Sequence, residues 1–282
     1  MEIKTLETLS MSEIVASFLE AFADYAVSFT PRQVESLLRR RGFCPPLSYG
    51  AFDKGRPVAF VLNGIGVHDG IPTAYDTGTG TIREYRGRGL AAEIFCHAGK
   101  DLRRLGIEHY LLEVLSENAP AVALYRKMGF RINREFTCHA AALADIHAPD
   151  LFASEIKIRR MDVSAAIQSE AFHDYPPSWQ DSYASLLRAG NELACFGAWR
   201  GGDFAGYAIA DAGEGELVQM AVRRDLRRHG IGSALFSAFL SLVGTERIKA
   251  INIDARCLDM ISFLEKRNLA VTSRQYEMMA EL

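Results

Sequence analysis

At 282 residues, 49% of them hydrophobic, the chain can bury one large core or two mid-sized ones, and two domains are the better prior. A formal net charge of −3 and a pI near 6.2 exclude a global attraction to nucleic acid or to acidic membranes, so an anion site has to come from local clustering. The five cysteines (Cys44, Cys96, Cys138, Cys195 and Cys257) are an odd number, scattered and without a CxxC pair, which argues against a disulfide framework and against a metal site. No basic start with an apolar core opens the chain, and no apolar run of about 18 residues follows. The reading is a reduced, soluble, cytoplasmic protein.

In chain order, EIKTLETLS alternates as a short strand does. Met11 to Asp24 places Ile14, Val15, Phe18, Leu19 and Phe22 at helical spacing, with Ser10 or Ser12 as cap. Pro31 opens a second helix that Gly42 closes. SYGAF and PVAFVLNGIGV flank the turn Asp53-Lys54-Gly55-Arg56 as a hairpin, and a further strand runs from Thr73 to Ile82. A helix over Leu90 to Leu105 stops at Gly106, IEHYLLEVL reads as a buried strand, and a helix over Ala119 to Met128 ends at Gly129. FRINREFTCHAAAL supplies two last strands. The order gives a mixed α/β (α+β) unit with a mixed sheet, not a regular doubly wound one.

Between the third strand and its helix lies Arg86-Gly87-Arg88-Gly89-Leu90-Ala91. A helix N-terminus carries about four backbone N–H groups without internal partners and a partial positive charge. Glycines there let a phosphate reach the main chain, so this stretch is an anion-binding turn.

The second half repeats the first. Ala21-Phe22-Ala23-Asp24-Tyr25 returns as Ala171-Phe172-His173-Asp174-Tyr175, Ser36-Leu37-Leu38-Arg39 as Ser185-Leu186-Leu187-Arg188, and Tyr49-Gly50-Ala51-Phe52 as Phe196-Gly197-Ala198-Trp199. Arg86-x-x-Gly89-x-Ala91 returns as Arg227-x-x-Gly230-x-Gly232. A period of domain length means tandem globular units and not a solenoid. The boundary falls at 144/145, giving units 1–144 and 145–282, with ADIHAPDLFA, residues 144–153, as the link and EIKIRRMD as the first strand of the second unit.

The glycine turn together with Leu112-Glu113-Val114, Asn118, Ala121, Leu124-Tyr125 and Gly129-Phe130 resembles the GNAT family of acetyl-CoA-dependent N-acetyltransferases. The first unit is similar to its ribosomal-protein alanine N-acetyltransferase branch. The resemblance covers nearly the whole chain, twice. It implies two tandem GNAT domains and a loop, Arg86 to Ala91, that binds the pyrophosphate of coenzyme A through backbone N–H groups, with the Arg86 side chain partly structural. It also implies Asn118 on the cofactor arm or nearby backbone, and Tyr125 as the acid that protonates the departing thiolate. Glu113, in the apolar run YLLEVL, is the candidate base; its alternative is an arginine partner across the sheet.

In the second unit Arg227, Gly230 and Gly232 keep the loop, but Asn252, Cys257 and Leu264 stand where Glu113, Asn118 and Tyr125 do. The first unit is therefore expected to be catalytic and the second degenerate. The acceptor, a primary amine on a small molecule or peptide, is expected near the loop Phe22 to Phe29, with Asp24 and Tyr25, and with His68, Asp69 and Asp76 as further candidates. A monomer is favoured over a homodimer, since tandem units can bury the edges that single units bury by pairing. The alternative function is a non-catalytic acyl-CoA-binding or scaffolding protein.

Overall fold

A computed structural model of the chain describes residues 1–25, 28–149 and 155–282. It divides into two compact units, one of Met1–Asn133 with Tyr276–Leu282 and one of Arg134–Gln275.

The first unit begins with β1 (Glu2–Thr5), α1 (Met11–Ala21) and α2 (Pro31–Arg40). Each helix opens on a capping box. Ser10 and Thr30 accept from the backbone N–H of Glu13 and Gln33, and those side chains reach back to the N–H of Ser10 and Thr30. Strands β2 (Tyr49–Asp53), β3 (Arg56–His68) and β4 (Ile71–Thr81) form an antiparallel meander, with Lys54 and Gly55 at φ 49° and 83° in the β2–β3 turn. Then come α3 (Leu90–Arg104), β5 (His109–Leu115) and α4 (Ala119–Lys127). One sheet face carries Ile14, Val15, Phe18, Val34 and Leu38 of α1 and α2 against Leu6, Phe52, Phe60 and Leu62. The other carries Ile94, Phe95, Ala98 and Leu102 of α3 against Ala59, Val61, Tyr110 and Leu112.

The second unit contains β7 (Ile156–Met161), α5 (Val163–Ile167), α6 (Tyr183–Ala189), β8 (Ala194–Arg200), β9 (Asp203–Asp211), β10 (Glu216–Val222), α7 (Ile231–Leu240), β11 (Arg247–Asp254) and α8 (Leu258–Glu265). The repeat is visible in detail. Strands β2 and β8 each shift register near their ends, at Ala51/Phe52 and Ala198/Trp199.

The expected boundary at 144/145 does not divide the compact units. FRINREFTCHAAAL forms one strand, β6 (Arg131–Ala142), not two. From Arg134 on it belongs to the second unit, where it pairs antiparallel with β11. The last strand, β12 (Ala270–Glu281), ends in the first unit: Tyr276–Leu282 lies next to β5, Met278 is fully buried in its core, and the Leu282 N–H donates to the Glu108 carbonyl at 2.8 Å. Each unit is closed by a strand that the repeat assigns to the other half. Both strands are long and patterned alike, so nothing local says where either changes unit. In the expected link, residues 150–153 lie outside the described residues; Leu143–Asp145 forms a single 3₁₀ turn.

Met278→Ala should therefore destabilise the first unit by about 2–5 kcal/mol, although it lies at the far end of the chain. Urea unfolding followed by far-ultraviolet circular dichroism, which reports both units, measures this; an unchanged transition would remove the strand from that core.

Candidate active site

The site of the first unit is built where β4 and β5 part. Their parallel pairing covers Thr73↔His109, Ala74↔Tyr110 and Tyr75↔Leu111 and then ends. On the other edge of β4, Leu62 pairs with Gly78 and Asn63 with Asp76, so Thr77 is an extra residue and β4 is bulged there. The bulge is held from both sides. Thr77 Oγ1 donates to the Leu62 carbonyl at 2.9 Å, and Arg41 Nη1 donates to the Thr77 carbonyl at 2.8 Å.

Asp76 sits beside the bulge, 8% exposed. It accepts from Thr79 Oγ1 at 2.7 Å, from the Gly78 N–H at 2.9 Å and from the Tyr125 hydroxyl at 3.3 Å. Burial pushes its carboxyl up to about 6 against the pull of those donors. Tyr125, on α4, packs edge-on against Phe95 and Phe130. Burial and the nearby Asp76 hold its phenol well above the ordinary range, so it stays protonated.

Glu113 lies on β5 beyond the last residue paired with β4 and is half-buried. Strand alternation turns it to the face opposite Tyr110, Leu112 and Val114, which line the α3 core. The structure thus joins Tyr125 directly to Asp76, and sets Glu113 on the α1–α2 side of the same opening. Asp76, one of several acceptor candidates in the sequence, stands out through burial and through its partner.

The glycine turn has the expected form. Gly87 and Gly89 have φ of 75° and 76°, and a Cβ on either would meet no atom within 4 Å. Gly89 caps α3 with no side chain on its N–H groups. The Leu90 side chain is buried in the core, and Ala91 follows on the first turn. Arg88 stacks on Tyr85 and donates to the Glu84 carbonyl.

Arg86 points away from the turn. Its Nη1 and Nη2 clamp Asp24 at 2.6 and 2.7 Å, Nη2 reaches the Ala21 carbonyl and Nε the Thr81 carbonyl. The recurrence of Asp24 as Asp174 has the same cause, for Arg227 Nη1 meets Asp174 at 2.9 Å while Nη2 donates to the Phe172 carbonyl and Nε to the Val222 carbonyl. Asp24 is therefore an anchor of the loop. Tyr25 is 52% exposed, and residues 26 and 27 of the expected acceptor loop lie outside the described residues. Asn118 caps α4, its Oδ1 accepting from the Ala121 N–H at 3.3 Å.

In the second unit Gly230 has φ 82° and caps α7, Arg228 replaces a glycine at φ 65°, and a Cβ on Gly232 would come within 3.2 Å of Phe263. Cys257 occupies the cap of α8 with backbone angles within 2° of those of Asn118. Leu264 fills the place of Tyr125, and by the matching bulges Leu217 fills that of Asp76. Among the described residues no cluster of His, Cys, Asp or Glu could hold a metal ion, and no helix is long and apolar enough to cross a membrane.

Residues 14–130 and 164–267 each match the acetyltransferase (GNAT) family, and the chain belongs to that family, with two copies in tandem. It is 36% identical over 86 residues to the N-alpha-acetyltransferase MAK3 of Arabidopsis thaliana, covering 30% of this chain and 45% of that protein. To the streptothricin acetyltransferase of Streptomyces lavendulae it is 44% identical over 46 residues, covering 16% and 24%. The chain thus spans less than half the length of either curated relative. Among solved structures, a tandem GNAT protein from the clavulanic acid biosynthesis pathway superposes with a TM-score of 0.76 at 18% identity, covering 99% of this chain and 98% of the other. A GCN5-related N-acetyltransferase from Sphaerobacter thermophilus superposes with a TM-score of 0.72 at 16% identity, covering 99% and 95%. These two share the fold.

The buried carboxylate gives a signed prediction. Its folded pKa of about 6 lies above the ordinary carboxylate value, so between the two the folded state binds more protons than the unfolded one. Stability should fall as pH rises from about 4 to about 6, by on the order of 3 kcal/mol from this group. Asp76→Asn should remove that slope and be the more stable protein at neutral pH. Urea unfolding at about pH 5 and about pH 7.5 compares them; parallel slopes would refute it.

Proposed function

We propose that the first unit is an acetyl-CoA-dependent N-acetyltransferase acting on a primary amine of a small molecule or a peptide. The observation that carries this is the Tyr125–Asp76 pair, buried where β4 and β5 diverge and below an open glycine turn. The turn fits the cofactor: a Cβ at Gly87 or Gly89 would stand in the space above the free N–H groups, and glycine leaves it clear. Gly87, Arg88, Gly89, Leu90 and Ala91 would hold the pyrophosphate through the main chain, with Arg86 bracing the turn and Asn118 fixing the start of α4. When bound, the cofactor supplies a thioester, an acyl donor activated toward amines.

The remaining chemistry belongs to side chains. Tyr125 presents a phenol that burial keeps protonated, the state needed in a proton donor. Asp76 is a positioning residue: as a carboxylate it accepts the Tyr125 hydroxyl and holds the ring in one rotamer. Glu113, on the face toward α1 and α2, takes the proton of an incoming ammonium group directly or through water. In the second unit the equivalent groups are Leu264, Leu217 and Asn252, so Arg227, Gly230 and Gly232 there hold a cofactor without the acid or base to use it.

Tyr125→Phe should lower kcat on the order of 100-fold or more while leaving KM for acetyl-CoA little changed. Release of coenzyme A in the presence of pooled amines reads it out, and a fully active variant would end the role. A chain that binds acetyl-CoA tightly but releases nothing with any amine would instead be a non-catalytic acyl-CoA-binding protein. The rate should also fall as pH drops through about 6, where Asp76 takes up its proton. Asp76→Asn should abolish that limb of the profile; its survival in the variant would assign the limb to another group.

A further inference from the structure

The second unit holds a cavity of about 590 Å³, within the roughly 300–1,000 Å³ of sites that enclose a drug-sized ligand. Its walls come from both faces of the sheet. Ile231, Met260 and Phe263 contribute from α7 and α8 on one side, and Phe172, Ser178 and Asp181 from the segment between α5 and α6 on the other. A space lined from both faces has to pass through the sheet, and it passes where β10 and β11 part. Those strands share a single parallel register pair, Glu216↔Lys249. Both are then bulged, β10 at Val218 and β11 between Ala250 and Ile253, where Asn252 takes φ 56°.

Three substitutions and a shortened helix distinguish this passage from its counterpart in the first unit. There, Tyr125 and Asp76 are hydrogen bonded across the opening, and α1 covers its far side: a Cβ on Gly78 would lie 2.9 Å from Phe18. In the second unit both polar groups become leucines, Leu264 and Leu217, which pack into the core. The helix equivalent to α1 is cut from 11 residues to 5, so a loop replaces it over the opening. At the position of Gly78 stands Gln219, drawn aside by the Tyr207 hydroxyl, which donates to its Oε1 at 2.9 Å, and by the Asp181 carbonyl, which accepts from its Nε2. Beyond the sheet the passage is lined by Phe172 and Val218 and reaches a hydrogen-bonded floor. Asn252 Nδ2 donates to Ser178 Oγ at 3.2 Å, and Ser178 Oγ donates to Asp181 at 3.3 Å.

We propose that the second unit is a binding site for an acyl-CoA whose acyl group is longer than acetyl, the chain running between β10 and β11 into this far chamber. This rests on the reading of Arg227 to Gly232 as a coenzyme A loop. The apolar walls remove methylenes from water, and the polar floor, already hydrogen bonded within itself, limits the chain's length. With no group at the place of Tyr125 or Glu113 to move a proton, the thioester is held and not consumed.

Calorimetric titration of the full chain carrying Gly89→Glu, which closes the first cradle, tests both layers. Free coenzyme A, acetyl-CoA, butyryl-CoA and hexanoyl-CoA serve as probes. Affinity should rise about fourfold for each methylene buried, hence at least about tenfold from acetyl to butyryl. Adding Gly230→Glu should abolish all binding. Val218→Phe should erase the gain with chain length and leave free coenzyme A bound. Equal affinity across the acyl series overturns the inference while sparing the loop reading; failure of coenzyme A itself to bind Gly89→Glu overturns the loop reading. Should Val218→Phe not fold, the acyl series on Gly89→Glu decides alone, and a gain that persists in a folded Val218→Phe places the chain elsewhere and overturns the chamber.

Discussion

The structure of each unit depends on two parallel strands that refuse to stay paired. In the first unit three residue pairs join β4 to β5, in the second a single pair joins β10 to β11. Past those points, backbone donors and acceptors face a gap in the middle of a sheet, where an unpartnered polar group costs on the order of 1–3 kcal/mol. The bulges at Thr77 and Val218 make the divergence permanent by bending the strand out of register. A ligand with an extended amide-bearing arm can satisfy those groups, and the helix that follows each strand offers its N-terminus at the mouth of the gap. The glycine turn, the gap and the buried Tyr125–Asp76 pair therefore gather around one broken ladder.

Local signals made much of this legible in the sequence. Capping residues, glycine stops and apolar periodicity placed the helices of the first half within a few residues, because those signals act over one turn. The Arg-Gly turn and the tandem organisation were equally readable. Three features were not. The exchange of closing strands depends on pairing between residues more than a hundred positions apart, which no window on FRINREFTCHAAAL contains. The weight of Asp76 comes from burial and from Tyr125, 49 residues away. The far chamber of the second unit arises from a helix that stops early, a missing turn and not a motif.

Recurrence here marks the residues that support the fold. Asp24 and Asp174 return with their neighbours, as residues that support the fold do, and each is the carboxylate that holds the arginine of the adjoining turn. The Asp24 carboxyl is drawn down to about 2 by hydrogen bonds from Arg86, as befits a permanent counter-ion. What the repeats share is the apparatus that shapes the backbone; what they do not share is the titratable equipment.

That division follows from how the two tasks are carried. Holding a phosphate uses main-chain N–H groups, which survive any substitution the backbone tolerates. Arg228 at φ 65° shows how much is tolerated, at a cost on the order of 1 kcal/mol for a left-handed residue that is not glycine. Moving a proton uses single atoms on single side chains, and one change from a phenol or carboxylate to leucine removes the capacity outright. A duplicated unit released from turnover therefore loses chemistry first and binding last. The hydrogen bond that spans the opening in the first unit has no counterpart between Leu264 and Leu217, and these apolar side chains, packed into the core, leave room behind them. The leucines at the places of Tyr125 and Asp76 and the cavity between β10 and β11 are in this way one structural difference.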